Sequence, residues 1–159
     1  MDYFGTKPPQ QSPDFPDAFY RVTVKGLCIK DGKIMMTKDA TNREADWEWE
    51  LPGGGLDFGE DLREGLKREV EEEMGLKVRK VSGRPLYMWT IKHKEARGME
   101  WYWVMVVVYS VEFEHLNFTP TDECQEIKFF AFDEFKKELP HVAEQIRPLA
   151  EHFNPADFT

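Results

Sequence analysis

The stretch from residue 54 to residue 76 combines glycines, glutamates and one arginine at spacings that suit metal chemistry. In order, its fixed positions are Gly54, Glu60, Arg68, Glu69, Val70, Glu72, Glu73, Gly75 and Leu76. Carboxylate oxygens are the ligands that hard divalent cations prefer, and glutamates one turn apart on a helix share a face. The spacing therefore predicts a site for Mg²⁺ or Mn²⁺.

Local signals predict a helix that carries these glutamates. Asp61 is a typical N-cap residue and Gly75 a typical left-handed C-terminal stop, so the helix should run from Leu62 to Met74. At about 100° per residue, Glu69 and Glu73 fall on its apolar stripe, which consists of Leu62, Leu66 and Val70. Carboxylates on a packing stripe are unfavourable unless a cation compensates them. Their clustering at one helix end indicates a metal site rather than a merely solvated acidic face.

The complete spacing resembles the signature of the Nudix hydrolases, enzymes that cleave a nucleoside diphosphate linked to another moiety. The resemblance implies that Glu69 and Glu73, with the carbonyl of Gly53, are metal ligands. It implies that Glu72 is either a further ligand or a catalytic group that positions the water. It also implies an α/β fold, an α/β/α sandwich around a mixed β-sheet, over roughly residues 21–152.

Arg68 has two interpretations within the motif. It could contact the substrate as a catalytic residue, or it could pair with Glu60 and so orient the neighbouring Glu69. The pairing is favoured because Glu60 and Arg68 lie eight residues apart, where a pair ties the loop to the helix. On this interpretation Glu60, like Gly75, has a structural role in the motif.

Three successive glycines, residues 53–55, precede the helix. Without side chains they let the backbone approach a ligand or metal closely, so Gly54 is a candidate substrate contact. Trp49 and Phe58 flank this loop and could stack on a base, although aromatic residues on strands more often pack in the core. Arg21, at the start of the first strand, is a further candidate for substrate binding.

An acidic loop before the last strand offers another catalytic group. The family usually supplies a fourth acid from such a loop, as a metal ligand or as the general base. Glu123 is the first candidate for the base and Glu126 the second. An acidic surface loop without a catalytic role is the alternative.

Composition excludes several classes of protein. The 159 residues are 41% hydrophobic, which is enough for the core of one domain. A net charge of −9 argues against long nucleic acids, which are bound by basic surfaces. The longest apolar run, residues 101–109, is too short to span a bilayer. Two cysteines, Cys28 and Cys124, and no recognisable secretory leader predict a cytoplasmic protein.

The order of predicted elements is strands, one helix, more strands and a terminal helix, within a single domain over residues 20–159. Residues 1–19 hold four prolines and predict an extended arm, disordered or lying on a partner subunit. Strands are expected at 21–30, 33–37, 47–51, 77–82, 86–91, 100–113 and 125–132, and helices at 133–137, capped by Asp133, and 141–153. The arm and the habit of the family predict a homodimer.

These features predict a divalent-metal-dependent pyrophosphohydrolase acting on an NTP, a dNTP or another small nucleotide. A nucleotide-sugar or ADP-ribose pyrophosphatase is one alternative, although Ile91 and Lys92 stand near the place of the proline typical of ADP-ribose hydrolases. A non-catalytic nucleotide-sensing domain is another, but such domains typically lose motif glutamates that are all present here. An isopentenyl-diphosphate-isomerase-like protein would need a catalytic cysteine, and no cysteine lies near the motif.

Overall fold

The computed structural model describes residues 20–39, 47–96 and 99–158. The predicted arm, residues 1–19, lies outside them. The strands are β1 Tyr20–Leu27, β2 Ile29–Lys30, β3 Lys33–Asp39, β4 Trp49–Glu50, β5 Gly53–Gly55, β6 Val78–Val81, β7 Tyr87–Ala96, β8 Met99–Phe113 and β9 Cys124–Phe130. The helices are α1 Leu62–Met74, α2 Phe132–Lys137 and α3 Leu149–His152, with 3₁₀ turns at Leu139–His141, Glu144–Ile146 and Pro155–Phe158.

Within the described part of the chain, the strands form two sheets. In the first, β1 lies between β5 and β8, and β8 also pairs with β6 and β7. Strands β1 and β8 are parallel, from Tyr20 opposite Trp103 to Leu27 opposite Ser110, while the other pairs in this sheet are antiparallel. In the second sheet, β3 pairs antiparallel with β2, β4 and β9. The first sheet is therefore mixed, as expected.

The core has two parts, and alternate residues of the long strand β8 point into each of them. One part contains Leu27, Val104, Val106 and Val108, packed under the C-terminal elements through Phe135 and Leu149. The other contains Val24, Val107, Tyr109 and Val111, packed under α1 through Leu66 and Val70. Successive side chains of a strand point to opposite faces, so helices cover both faces and the predicted α/β fold is confirmed.

Helix α1 has the bounds that the sequence predicts. The Asp61 carboxylate accepts hydrogen bonds from the backbone N–H groups of Arg63 and Glu64 at 3.0 and 3.1 Å, as an N-cap does. At the other end Gly75 has a φ of 68°, and its N–H donates to the carbonyl of Glu71 at 2.9 Å. Both helix ends depend on local chemistry, so neither needs tertiary contacts to be specified.

The predicted terminal helix over residues 141–153 is wrong. The structure has a 3₁₀ turn at Glu144–Ile146 and only a short α-helix at Leu149–His152. Pro148 stands between them, and a proline inside a helix lacks the N–H that the preceding turn requires. This stretch follows the sheet surface in short pieces instead of one rigid helix.

Other boundaries also differ from the prediction. Strands β7 and β8 form a longer hairpin than expected, because β7 continues to Ala96 and β8 begins at Met99. The N-cap of α2 is Ala131 and not Asp133, and the Ala131 N–H donates to Glu134 Oε2 at 2.9 Å. The side chain of Glu134, in the first turn, therefore accepts a hydrogen bond from the backbone N–H group at the N-cap of this helix.

Both cysteines lie in the interior of the protein. Cys28 and Cys124 are free thiols buried in the part of the core beneath α1. Among residues 20–39, 47–96 and 99–158, no helix has the length and apolarity needed to cross a membrane.

Candidate active site

The glycine loop is held against β1 by strand pairing. Gly53 lies opposite Lys25, and Gly54 lies opposite Val24. The φ of Gly53 is 124°, and a Cβ at this position would lie 2.2 Å from the carbonyl oxygen of Val24. Glycine is thus required both by the backbone conformation and by the close approach of the two strands. The sheet fixes where this loop presents its backbone groups.

Helix α1 packs closely on the glycine loop because glycines lie at two contact points. A Cβ on Gly54 would lie only 2.3 Å from Glu69 Oε2, so the missing side chain makes room for that carboxylate. A Cβ on Gly65 would lie 2.5 Å from Leu56 Cδ1 and 2.9 Å from Glu60 Oε2. The glutamates of the helix are therefore brought directly over the loop.

Arg68 donates hydrogen bonds to one carboxylate of the loop that precedes α1 and to two carboxylates of α1 itself. Its Nε and Nη2 donate to the two oxygens of Glu60 at 2.7 and 2.9 Å, which is the ion pair expected from the sequence. Its Nη1 donates to Glu69 Oε1 at 2.7 Å and to Glu72 Oε2 at 3.0 Å, and Nη2 also reaches the Gly55 carbonyl at 3.3 Å. The hydrogen bonds from Arg68 hold the pKa of Glu60 below its usual range. Arg68 thus ties the loop to the helix and fixes Glu69.

Glu73 lies one turn further along α1 in a different environment. The N–H of Gly53 donates to Glu73 Oε2 at 3.3 Å, which joins this carboxylate to the loop. Burial raises the pKa of Glu73 to about 7, although the charge of Lys25 acts in the opposite direction. Burial also raises the pKa of Glu69, despite its bond to Arg68. For both carboxylates the effect of burial on the pKa therefore outweighs that of the compensating charge nearby.

The two acids line one cleft of about 390 Å³. Its lining consists of Lys25, Thr37, Asp39, Glu48, Glu50, Gly53, Glu69, Glu73, Asp122 and Glu123. The loop that carries Glu123 is fastened to the end of α1 by Thr121, whose hydroxyl donates to the Glu73 carbonyl and accepts from the N–H of Cys124 at 3.0 Å. This fastening brings the first candidate for the general base to the same cleft as Glu73.

The other residues predicted from the sequence lie outside this lining. Glu72 is exposed and paired with Arg68, and the second candidate base, Glu126, is exposed on β9. Phe58 is 95% exposed, whereas Trp49 is 5% exposed and packs edge-on against Phe130 in the core. Arg21 donates to the carbonyl of Leu56, just after the glycine strand. The structure thus brings together Gly53, Glu69, Glu73 and Glu123, with Gly54 behind Glu69.

Several lining residues have no place in the sequence predictions. They are Lys25, Thr37, Asp39, Glu48, Glu50 and Asp122. Burial, and then the charge of Glu50, raises the pKa of Asp39. The signal that was available is the alternation of charged and aromatic residues at 47–50, which places Glu48 and Glu50 on one side of a strand. Alternation alone does not tell which side faces a ligand.

The donor chemistry of the cleft fits a hard divalent cation. Seven carboxylates and the Gly53 carbonyl surround one ammonium group in the lining, and oxygen is the donor that Mg²⁺ and Mn²⁺ prefer. Within the described residues, no three His, Cys, Asp or Glu side chains already converge on one point. Donors of the right type and number are present, while their convergence is not preformed.

A comparison with protein families assigns the chain to a class. The NUDIX domain model matches residues 19–153, which is most of the sequence. The chain therefore belongs to the Nudix family, as the spacing of residues 54–76 predicts.

Two curated relatives carry names that specify different nucleotides. The 8-oxo-dGTP diphosphatase of Buchnera aphidicola subsp. Schizaphis graminum is 42% identical over 59 residues, which are 37% of this chain and 45% of that protein. The ADP-ribose pyrophosphatase of Methanocaldococcus jannaschii is 29% identical over 118 residues, 73% of this chain and 64% of that protein. The chain thus matches less than two thirds of the length of either relative.

Solved structures of the family have the same architecture. A MutT NUDIX hydrolase from Burkholderia pseudomallei superposes with a TM-score of 0.64 at 26% identity, over 86% of this chain and 99% of that one. The similarity extends well beyond residues 54–76, to the sheets and helices that position them.

Proposed function

We propose that this protein is a divalent-metal-dependent pyrophosphohydrolase that cleaves a P–O–P bond in an NTP, a dNTP or another small nucleoside diphosphate derivative. The observation that carries the proposal is the position of Glu73, mostly buried in the cleft, bound to the N–H of Gly53 and one turn from Glu69. Membership of the Nudix family supports the same reaction class.

The proposed metal ligands are Glu69, Glu73 and the carbonyl oxygen of Gly53, with Glu72 as a further ligand or a group that positions the water. When bound, Mg²⁺ or Mn²⁺ would neutralise phosphate oxygens and lower the pKa of water. Glu72 would have to leave its exposed pairing with Arg68 to act as a ligand. A substitution of Glu72 can therefore show whether this residue is a metal ligand or a group that positions the water.

The remaining groups orient, exchange a proton or bind the nucleotide. Glu123 would accept the proton of the attacking water while the new P–O bond forms, and the leaving phosphate would keep the electrons of the broken bridge bond. Arg68 would act through Glu69, because its contacts described above are to protein groups; direct contact with substrate is the other role proposed for it. Glu60 and Gly75 would be structural. The candidate nucleotide contacts remain Gly54, the exposed ring of Phe58, Trp49 and Arg21.

The test is a panel assay on the purified chain with Mg²⁺ or Mn²⁺. Nucleoside triphosphates, deoxynucleoside triphosphates, ADP-ribose and nucleotide sugars are incubated separately, and released phosphate, pyrophosphate and nucleoside monophosphate are measured. Metal-dependent release from at least one triphosphate supports the proposal. Nucleotide binding without release from any compound would identify a sensing domain instead.

An ADP-ribose or nucleotide-sugar pyrophosphatase is the second candidate. It is favoured by the M. jannaschii relative, whose similarity extends over 73% of this chain. Release of AMP from ADP-ribose at a higher kcat/KM than release of product from any triphosphate would select this candidate.

We also propose a cytoplasmic homodimer, from the family habit and the two free cysteines. Light scattering of the full chain tests the assembly, and a mass equal to one chain would contradict it.

A further inference from the structure

The cleft contains one buried cation for which the proposed reaction has no role. Lys25 lies on β1 opposite Gly53, and only 3% of its side chain is exposed. Of the residues in the described lining, it is the one that carries a positive charge, against seven carboxylates. A lysine is seldom buried unless its charge is compensated.

The contacts of Lys25 are with oxygens of the type that a hard cation takes. Its Nζ donates to the carbonyls of Gly53 and Leu51 at 3.1 and 3.3 Å, and it lies 3.1 Å from Glu50 Oε1. Two of the three N–H donors of the ammonium group thus bond to these backbone carbonyls, and Glu50 lies close enough to balance its charge. One of them, the Gly53 carbonyl, belongs to the ligand set proposed for the metal.

The link between Lys25 and Glu50 is one of charge rather than of hydrogen-bond geometry. Glu50 Oε1 is buried and receives no aligned hydrogen bond from the described residues, while Glu50 Oε2 accepts from Gln145 Nε2 at 3.1 Å. Glu69 and Glu73 line the same cleft as Lys25, and Glu73 is bonded to Gly53, the residue whose carbonyl accepts from Lys25. The ammonium group therefore partly compensates several carboxylates at once.

We propose that Lys25 is a tethered counter-ion of the cleft, which stabilises the carboxylates and the Gly53 carbonyl in the absence of metal and lowers their affinity for a divalent cation. This inference rests on the proposed function, because it concerns the same metal site. Lys25 is a positioning residue here: it acts through the groups that bind the ion.

The sign of the effect follows from electrostatics. Removal of the positive charge takes away its attraction for the carboxylates and its repulsion of a second cation. The carboxylates are then less well compensated without metal, and they bind a divalent cation more strongly. The repulsion between the unit charge of Lys25 and the double charge of a metal ion about 6 Å away changes the binding constant of the metal on the order of tenfold, even at the dielectric constant of water. A purely structural lysine would have the opposite signature, because loosening of the loop would weaken metal binding.

The experiment measures Mn²⁺ binding to the full chain by isothermal titration calorimetry, without substrate. Lys25→Met is expected to bind Mn²⁺ on the order of tenfold more tightly, whereas Lys25→Arg, which keeps the charge, should bind close to the original affinity. Metal-free Lys25→Met should also melt at a lower temperature, and saturating Mn²⁺ should raise its Tm by more than it raises that of the unaltered chain. Lys80→Met, at an exposed position of strand β6, is the matched control and should change neither quantity.

Unchanged or weaker Mn²⁺ binding in Lys25→Met, with the unaltered chain binding normally, overturns the inference and leaves the proposed function standing. Absence of Mn²⁺ binding in the unaltered chain overturns both. If Lys25→Met does not fold, the lysine is removed in the background of Glu50→Gln, which takes away its nearest carboxylate as well. The double variant should then bind Mn²⁺ more tightly than Glu50→Gln alone, and equal or weaker binding would reject the inference.

Discussion

Two carboxylates of the same motif have pKa shifts of opposite sign. The pKa of Glu60 is lowered, chiefly by hydrogen bonds from Arg68, whereas burial raises the pKa of Glu73 to about 7. Glu60 lies in the loop just before α1, and Glu73 lies near the end of the same helix. The loop that carries Glu60 and helix α1 form one unit with two ends. At the loop end the charge of Glu60 is compensated by Arg68, whereas at the cleft end the charge of Glu73 is not fully compensated by the protein.

This difference separates structural from functional acids without reference to the family. A compensated carboxylate stabilises the fold, as Glu60 does by fixing Arg68 across the loop. A desolvated carboxylate with incomplete compensation is unfavourable for the fold and is typical of a place where a ligand supplies the missing charge. Substitutions at the Glu60 end and at the Glu73 end of helix α1 and its preceding loop should therefore have different effects.

The largest effect is expected from Glu73→Gln. It removes the charge proposed to hold the metal but keeps the shape of the side chain, so Mn²⁺ affinity and turnover should fall by more than about 100-fold, beyond the range seen for outer partners of metal ligands. Stability without metal should not fall, because a neutral group is cheaper to bury. Calorimetry and the panel assay measure these quantities, with the exposed Glu71→Gln as control. Full turnover in Glu73→Gln would refute the metal assignment.

At the compensated end, Arg68→Met should reduce both activity and stability. Loss of the hydrogen bonds to Glu60 and Glu69 leaves two carboxylates without their partner, which lowers the free energy of unfolding by about 2 kcal/mol. Activity should fall about 10- to 100-fold because Glu69 is no longer oriented. Urea unfolding and kcat measurements are the readouts. A drop in activity with unchanged stability would instead favour direct contact of Arg68 with substrate.

A smaller effect on turnover is expected from Gly54→Ala, because Gly54 lies against Glu69, which both binds Arg68 and lines the cleft. The new Cβ would lie 2.3 Å from Glu69 Oε2, so the carboxylate must turn away and turnover should fall on the order of tenfold. Gly83→Ala meets nothing within 4 Å and is the matched control. Equal kcat/KM values for the two variants would show that the position of Glu69 over the loop is not required.

The last expected effect is on the free energy of unfolding without metal, which should depend on pH, and it involves no change in turnover. Because the pKa of Glu73 is raised from 4.5 to about 7, its favourable contribution is complete below pH 4.5 and is lost as the pH rises through 7, by about 3 kcal/mol. The contribution of Glu60, whose pKa is lowered, runs the other way and is lost as the pH falls below 4.5. Chemical denaturation at pH 5 and pH 8 measures the difference. It should become smaller in Glu73→Gln, and the remainder belongs to Glu69 and Asp39, whose pKa values burial also raises. A pH dependence of unchanged size in that variant would show that Glu73 is not its source.

The elements predicted most accurately are those with local causes. Helix α1 runs from Leu62 to Met74 as predicted, because Asp61 and Gly75 satisfy its ends within a few residues. The sequence predicts one helix over residues 141–153, but the structure has a 3₁₀ turn and a short α-helix there, because Pro148 interrupts the helix and the stretch packs against the sheet. Periodicity could not distinguish these outcomes, since apolar residues line one side of either arrangement.

For the candidate site, the sequence by itself determined the motif, its helix and the face of that helix on which Glu69 and Glu73 lie, because spacing along a helix specifies which side chains share a side. Tertiary structure decided the rest. Lys25 alternates with apolar residues as a solvent-facing residue does, yet it is 3% exposed, and its contacts are with Glu50, Leu51 and Gly53, which are distant in sequence. Glu50 and Glu123 reach the same cleft only through pairing of β4 with β3 and the anchoring of Thr121 on α1. Such contacts join residues that no local pattern links, and they determine which charges of the cleft are compensated.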